Sequence, residues 1–194
     1  MHTNPSSQSD EQIALLVQSG KSEFFGKLIT RYQEKITRYA RKFLSNNEDI
    51  QDIVQEVFIK AYVNIQSFDT KRRFSPWLYR IAHNEFVNNL RKKKKIFLPL
   101  FELDTFFWQA APKNSNDITE QIDRKEMKEV IEKCFDKLGA KYKEPVLLYY
   151  LEELSYKEIA DVMAIPISTV GVRIKRAKKI MQNIFKEQGY EYGK

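Results

Sequence analysis

Residues 72–77, RRFSPW, combine side chains that suit the binding of single-stranded nucleic acid. An aromatic ring gives an unstacked base a surface to stack on, and a guanidinium neutralises a neighbouring phosphate. We therefore interpret Arg72, Arg73 and Phe74 as one end of a nucleic-acid surface. The helical segment that follows continues it with a row of side chains at spacings of three and four residues: Trp77, Arg80, Asn84, Asn88 and Arg91. Amides in such a row can form hydrogen bonds to base edges.

The same segment also allows a purely structural interpretation. Its opposite face is an apolar stripe that predicts burial, formed by Leu78, Ile81, Ala82, Phe86 and Leu90. Trp77 could join that core, and the five cations of residues 91–95 could be solvated at the negative end of the helix dipole. The segment alone leaves both interpretations open. The preceding loop, FDTKRRF at residues 68–74, favours single-stranded nucleic acid.

A second pattern places carboxylates on one face of a helix in an otherwise basic chain. In EDIQDIVQEVFIKAY, residues 48–62, Asp49, Asp52 and Glu56 recur at helical spacing. The apolar residues form a separate stripe that predicts burial: Ile50, Ile53, Val54, Val57, Phe58 and Ala61. The acids are either a solvated face near the positive end of the helix dipole or a docking surface for a basic partner.

The segment 154–181, LSYKEIADVMAIPISTVGVRIKRAKKIM, has the pattern of a helix-turn-helix. A capping box, Ser155 with Glu158, opens a short helix, and a longer basic helix begins at Ser168 or Thr169. The second helix is expected to enter the major groove of DNA with these residues facing bases or phosphates: Ser168, Thr169, Val172, Arg173, Lys175, Arg176 and Lys179. The alternative is a structural three-helix unit with solvated cations.

Composition restricts the class of protein. The chain has 194 residues, a formal net charge of +7 and 42% apolar residues, which excludes a disordered basic tail and favours folded domains with an anionic partner. It contains no phosphate-binding loop, HExxH or CxxC motif, and neither His2 nor His83 has a credible catalytic neighbour. We therefore expect no enzyme, metal, cofactor or small-molecule substrate.

Three further features bear on location and redox state. The single cysteine, Cys134, excludes an intramolecular disulfide and is predicted to be a core residue. The polar start of the chain lacks the pattern of a secretory signal, which predicts a cytoplasmic protein. The most apolar window, residues 96–108, is too short to span a bilayer and carries two acids.

Apolar residues recur at helical spacing nearly throughout, and no stretch alternates as a strand would. The predicted fold is therefore all-α, with two small helical domains joined by a flexible linker, the C-terminal domain containing the helix-turn-helix. The predicted domains are residues 1–95 and 119–194, and prolines and polar residues mark 96–118 as the linker. The helices are expected at residues 10–18, 21–44, 48–66, 76–94, 119–138, 142–152, 155–163 and 168–187.

Together these stretches resemble the extracytoplasmic-function group of bacterial sigma factors, and the resemblance covers nearly the whole chain. EDIQDIVQEVFIKAY is similar to the family's core-polymerase-binding segment, FSPWLYRIAHNEFVNNLRKK to its promoter-melting and minus-10 segment, and residues 142–179 to its minus-35 domain. The resemblance implies that four residues dock on the β′ clamp helices of bacterial RNA polymerase: Asp49, Asp52, Gln55 and Glu56.

The resemblance further implies that the loop before Trp77 captures a flipped base of the minus-10 element. It implies contact with the polymerase β flap, promoter DNA and an anti-sigma factor as partners. The chain departs from the family pattern at Asn88, His83 and Gly171, which puts base preference in question. Gly171 could allow the backbone to approach DNA closely. The alternative function is a stand-alone helix-turn-helix regulator that binds operator DNA.

Overall fold

The computed structural model describes residues 8–41, 44, 46–92, 134–135 and 137–187. These residues contain helices and turns and no strand, so the all-α prediction is confirmed for the described part of the chain. The chain divides into two compact units, formed mainly by residues 1–96 and mainly by residues 97–194. The predicted linker, residues 96–118, lies outside the described residues, and the domain limits stay a prediction.

Seven α-helices are described, and they are numbered here in chain order. Four belong to the N-terminal unit: α1 at Asp10–Gln18, α2 at Phe25–Ala40, α3 at Asn47–Val63 and α4 at Phe74–Lys92. Single 3₁₀ turns lie at Ser22–Phe24, before α2, and at Ile65–Ser67, after α3. Three belong to the C-terminal unit: α5 at Ala140–Tyr150, α6 at Tyr156–Met163 and α7 at Ile167–Glu187.

In the N-terminal unit α3 packs against both α2 and α4 around an aromatic and aliphatic core. The α3 stripe predicted from the sequence is fully buried, since each of its members is at most 7% exposed: Ile50, Ile53, Val54, Val57, Phe58 and Ala61. The helix begins where Asn46 caps it by accepting a hydrogen bond from the backbone N–H of Glu48 at 2.8 Å. The opposite face of α3 is thereby turned to solvent.

Helix α4 begins at Phe74, two residues earlier than predicted. Ser75 and Pro76 therefore lie inside the first turn of the helix. Glu11 of α1 accepts a hydrogen bond from the backbone N–H of Phe74 at 3.0 Å. That bond satisfies one of the amides that an α-helix leaves unpaired at its start. Leu78, Ala82 and Phe86 are buried as predicted, while Ile81 is half-buried.

In the C-terminal unit the helix-turn-helix prediction is confirmed. The Ser155 hydroxyl accepts from the backbone N–H of Glu158 at 3.3 Å, and Glu158 accepts from the backbone N–H of Ser155 at 2.7 Å. Ala164 turns the chain with a φ of 51°, after which α7 starts at Ile167, one or two residues before the predicted position. The core of the helix-turn-helix contains six buried residues: Ile159, Val162, Met163, Val170, Ile174 and Ala177.

The residues before α5 contribute to the same core. Cys134 is fully buried against Ile184 and Phe185, which confirms its predicted role in packing. Gly139 caps the start of α5, and its carbonyl accepts from the backbone N–H of Tyr142 at 2.8 Å. The length of α7, 21 residues, allows its buried face to pack on α5 while its other face stays in solvent.

Candidate nucleic-acid and docking surfaces

Residues 69–73, here called the cationic loop, connect the turn after α3 to the start of α4. The loop has an ordered turn of its own, because Asp69 accepts from the backbone N–H of Lys71 at 3.0 Å through its carboxylate. The Asp69 carbonyl also accepts from the backbone N–H of Arg72 at 2.9 Å. Lys71, Arg72 and Arg73 are all exposed. The loop therefore presents three consecutive cations on a defined backbone.

The aromatic residues beside the loop pack together, which contradicts one prediction. Phe74 is only 1% exposed, with its ring 5.4 Å from that of Phe68, 5.6 Å from that of Tyr32 and 5.4 Å from that of Trp77. A ring enclosed in this way cannot stack on a base without leaving the core, so Phe74 is a packing residue. Trp77 is half-buried at the edge of this cluster and keeps part of its ring accessible.

The outward row predicted on α4 is present in the fold. Arg80, Asn84 and Asn88 are exposed and lie on the face that begins at Trp77. Arg91 is in α4 as well, but its side chain lies outside the described ones. The row and the cationic loop meet at Trp77. The described part of the N-terminal unit thus joins cations, amides and one accessible ring on a continuous surface.

His83 lies away from that row. Its Nδ1 is 3.4 Å from the hydroxyl oxygen of Tyr39, a fully buried residue of α2. Tyr39 in turn packs its ring against Tyr79 and Phe86 of α4. His83 is therefore part of the α2–α4 contact, and its departure from the family pattern concerns packing rather than the α4 row.

On α3 the acidic residues and two apolar residues share the solvent face. Asp52, Gln55 and Glu56 are exposed, and Asp49 is half-buried. Further along the same face Ile59 is 49% exposed and Val63 is 70% exposed, both unusually open for residues of this size. The sequence interpretation did not single them out. A helical wheel could have found them, because they fall opposite the buried stripe.

Lys60 separates the acids of α3 from α4. Its Nζ lies 2.6 Å from a carboxylate oxygen of Glu85 and 3.7 Å from one of Glu56. The hydrogen bond that Lys60 donates to Glu85, together with the charges of Glu85 and Glu56, raises the pKa of Lys60. Glu85 is therefore the closer partner of Lys60, and the Glu56 side chain remains exposed to solvent.

On α7 the predicted groove-facing residues divide into exposed and half-buried positions. Ser168, Val172, Lys175, Arg176 and Lys179 are exposed, whereas Thr169 and Arg173 are half-buried at the flank of the helix. A hydrogen bond from the Arg176 guanidinium lowers the pKa of Tyr142, a residue of α5. Arg176 itself is exposed. Ile167, 53% exposed at the start of α7, joins this surface and was not predicted.

Gly171 does not face the exposed side of α7. A Cβ added there would lie 3.6 Å from the ring of Tyr156 in α6, an ordinary van der Waals distance. The Cβ position is therefore directed to the neighbouring helix, and a close approach of the backbone to DNA at Gly171 stays a prediction. Tyr156 belongs to a cluster with Tyr149 and Tyr150, and the Nζ of Lys178 lies 5.6 Å from the Tyr150 ring.

The described residues also bear on two other kinds of site. Among them, no group of three or more histidine, cysteine, aspartate or glutamate side chains is placed to hold a metal ion. None of the described helices is long and apolar enough to cross a membrane.

Comparison with known protein families gives two matches, one in each unit. The Sigma-70 region 2 family matches residues 28–96, and the Sigma-70, region 4 family matches residues 128–181. The first match contains the acids of α3, the cationic loop and α4. The second contains the helix-turn-helix up to Met181.

Similar proteins extend over nearly the whole chain. The ECF RNA polymerase sigma factor SigW of Bacillus subtilis is 35% identical over 177 residues, which cover 86% of this chain and 91% of SigW. The ECF RNA polymerase sigma-E factor of Escherichia coli K12 is 31% identical over 179 residues, covering 90% and 93% of the two chains. A solved structure of CnrH in complex with the cytosolic domain of CnrY shares the fold, with a TM-score of 0.62 at 24% identity over 93% of this chain and 99% of the other.

Proposed function

Because the chain belongs to the extracytoplasmic-function group of the sigma-70 family of RNA polymerase sigma factors, we propose a role in transcription initiation for each of its surfaces. As a sigma factor it directs core polymerase to promoters. The observation that carries the assignment of surfaces is the N-terminal unit, where an anionic face of α3 and a cationic loop with its α4 row occur together. A stand-alone regulator would need no such pair.

The solvent face of α3 docks on the β′ clamp helices of the polymerase. Its acidic end, Asp49, Asp52, Gln55 and Glu56, supplies charge and amide contacts to a basic partner. Ile59 and Val63 add apolar area that the contact would remove from water, at about 25 cal/mol per Å². The charged residues speed association, and the burial of the apolar residues slows dissociation.

The cationic loop and the α4 row bind the minus-10 element as it opens. Arg72, Arg73, Arg80 and Arg91 neutralise phosphates, Trp77 stacks on an unpaired base, and Asn84 and Asn88 form hydrogen bonds to base edges. Flipping a base costs a few kcal/mol, and stacking on an aromatic ring recovers about 1–3 kcal/mol. The polymerase supplies the remaining free energy, so the isolated protein binds promoter DNA weakly.

Helix α7 enters the major groove at the minus-35 element. Ser168, Thr169 and Val172 lie in its first turns, the part of a recognition helix that reaches base edges. The basic residues that follow contact bases or phosphates: Arg173, Lys175, Arg176 and Lys179. The C-terminal unit also contacts the polymerase β flap.

The remaining parts of the proposal follow from the family. An anti-sigma factor covers the α3 and α4 surfaces until the protein is needed. The protein acts in the cytoplasm and performs no covalent chemistry, because polymerase catalyses the reaction that it directs.

The test is run-off transcription on fragmented genomic DNA with bacterial core RNA polymerase, followed by sequencing of the transcripts. Transcripts should start downstream of two common elements, and the protein alone should give no footprint at physiological salt. A tight footprint without polymerase, with no transcripts in its presence, would instead support the stand-alone regulator.

A further inference from the structure

Helix α1 holds the cationic loop at both of its ends. At the entrance, the side-chain amide of Gln18 donates to the carbonyl of Ile65 at 2.7 Å and to that of Phe68 at 2.8 Å. At the exit, the Glu11 carboxylate accepts from the backbone N–H of Phe74 at 3.0 Å. These partners are 47, 50 and 63 residues apart in the chain, so the contacts are tertiary rather than local.

The hydrogen bonds of Gln18 and the hydrogen bond of Glu11, here called the two clamps, restrain the backbone between α3 and α4. Gln18 uses both of its amide hydrogens on carbonyls that flank the loop, and the Gln66 side chain donates back to the Gln18 carbonyl at 3.2 Å. Glu11 satisfies the first amide of α4 and so fixes where that helix begins. Both ends of the loop are therefore set by one helix.

The charges of the cationic loop oppose its observed conformation. It contains three adjacent cations and one acid, Asp69, so its charges repel one another before any DNA is present. Within the loop, Asp69 accepts hydrogen bonds from the backbone N–H groups of Lys71 and Arg72. Without the clamps the loop would populate many conformations. Binding of a DNA strand would then have to order the loop, and the loss of conformational entropy would weaken binding.

We propose that Gln18 and Glu11 are positioning residues for promoter opening, which hold the cationic loop in its strand-binding conformation before DNA arrives. The proposal rests on the proposed function of the loop as part of the minus-10 surface. Neither residue touches DNA in this role. They act through the backbone of residues 65–74, and their contribution is preorganisation.

The first experiment measures order in the loop without DNA or polymerase. Trypsin cleaves after lysine and arginine, and the loop offers it Lys71, Arg72 and Arg73. In the full-length protein, Gln18→Glu keeps the size of the side chain but loses both donors. Cleavage within the loop, followed by mass spectrometry, should be about fivefold faster or more than in the wild type.

Three further variants separate positioning from general stability. Glu11→Ala removes the acceptor for the Phe74 amide and should also accelerate loop cleavage, whereas Glu11→Gln keeps an acceptor oxygen and should restore near wild-type cleavage. The control is Arg31→Gln, which removes the ion pair with Asp10 in the same unit and changes neither Gln18 nor Glu11. It should leave loop cleavage unchanged even where it lowers the thermal midpoint.

The second experiment uses the holoenzyme. Gln18→Glu and Glu11→Ala should bind core polymerase as the wild type does but reduce the yield of run-off transcripts by about fivefold or more. Glu11→Gln and Arg31→Gln should give close to the wild-type yield. Unchanged loop cleavage in both clamp variants would overturn the proposal, as would faster cleavage with unchanged transcription. A wild-type protein that gives no transcripts at all would overturn the proposed function itself, which is a different result.

Discussion

At the scale of single residues, two neighbouring aromatic side chains of α4 have separate tasks. Phe74 is enclosed by Tyr32, Phe68 and Trp77 and has almost no exposed surface. Trp77, three residues on, keeps one part of its ring in the cluster and the other in solvent. Substitution of Phe74 should therefore lower the stability of the fold, and substitution of Trp77 should weaken DNA binding.

Phe74→Ala should lower the free energy of unfolding by about 3–5 kcal/mol, because it deletes a buried ring and leaves a cavity. Phe74→Leu is the matched control and should cost less, since it keeps more of the volume. Urea denaturation followed by circular dichroism measures both. If Phe74→Ala kept the wild-type free energy of unfolding and only promoter opening were reduced, Phe74 would be a DNA-binding residue rather than a packing residue.

Gly171 offers a prediction of the opposite sign. The Cβ of an alanine there would meet Tyr156 at 3.6 Å without a clash, and glycine within a helix costs about 1 kcal/mol relative to alanine. Gly171→Ala should therefore raise the free energy of unfolding by about 0.5–1 kcal/mol. Gly20→Ala is the contrast, because Gly20 has a φ of 94° and an alanine would be strained there. Thermal unfolding of the two variants should shift in opposite directions.

At the scale of secondary structure, α3 buries one face in the core and exposes the other to solvent. Its buried stripe is complete, and its solvent face passes from acids at the N-terminal end to Ile59 and Val63 near the C-terminal end. Acids in the first turns also favour the helix itself, because they face the positive end of its dipole. One arrangement thus suits both stability and docking.

Reversing charge with Asp52→Lys and Glu56→Lys together should abolish co-purification with core polymerase, because a basic partner would then meet like charge. Both side chains are exposed, so the circular dichroism spectrum should not change. Glu34→Lys on the exposed face of α2 is the control for a nonspecific effect of added positive charge. Retention of the double variant on immobilised core polymerase would remove α3 from the docking surface.

At the scale of the whole molecule, the proposed docking and minus-10 surfaces lie in the N-terminal unit, and the proposed minus-35 surface lies in the C-terminal unit. Their functions should therefore be separable by mutation. A change on the exposed face of α7 should alter which promoters are used without altering docking through α3, since the two helices belong to different units.

Arg176→Ala should weaken promoters that depend on the minus-35 element by about 1–3 kcal/mol if its guanidinium makes a bidentate contact with a base. Lys179→Ala is the matched contrast, because a phosphate contact is lost equally on all sequences and lowers the salt dependence by about one ion. Competitive transcription from promoter variants measures both. A loss for Arg176→Ala that is uniform across sequences would make this residue a phosphate contact as well.

Much of this protein can be predicted from its sequence because the relevant information is local. Helical periodicity places the buried stripe of α3, and the capping box of Ser155 and Glu158 marks the start of α6. The exposed acids of α3 and the exposed row of α4 follow from the same periodicity, since a helix that buries one face presents the other. Charge, periodicity and motif order also sufficed for the family.

Only the tertiary structure decided how the segments hold one another. It placed Phe74 among three other rings, set His83 against Tyr39, and turned Gly171 toward Tyr156. It also brought Gln18 and Glu11 of α1 to the two ends of the cationic loop. Such contacts join residues that are tens of positions apart, and no local propensity encodes them. They depend on how the helices pack, so the residue type alone does not show which rings a phenylalanine contacts or which distant carbonyl a glutamine reaches.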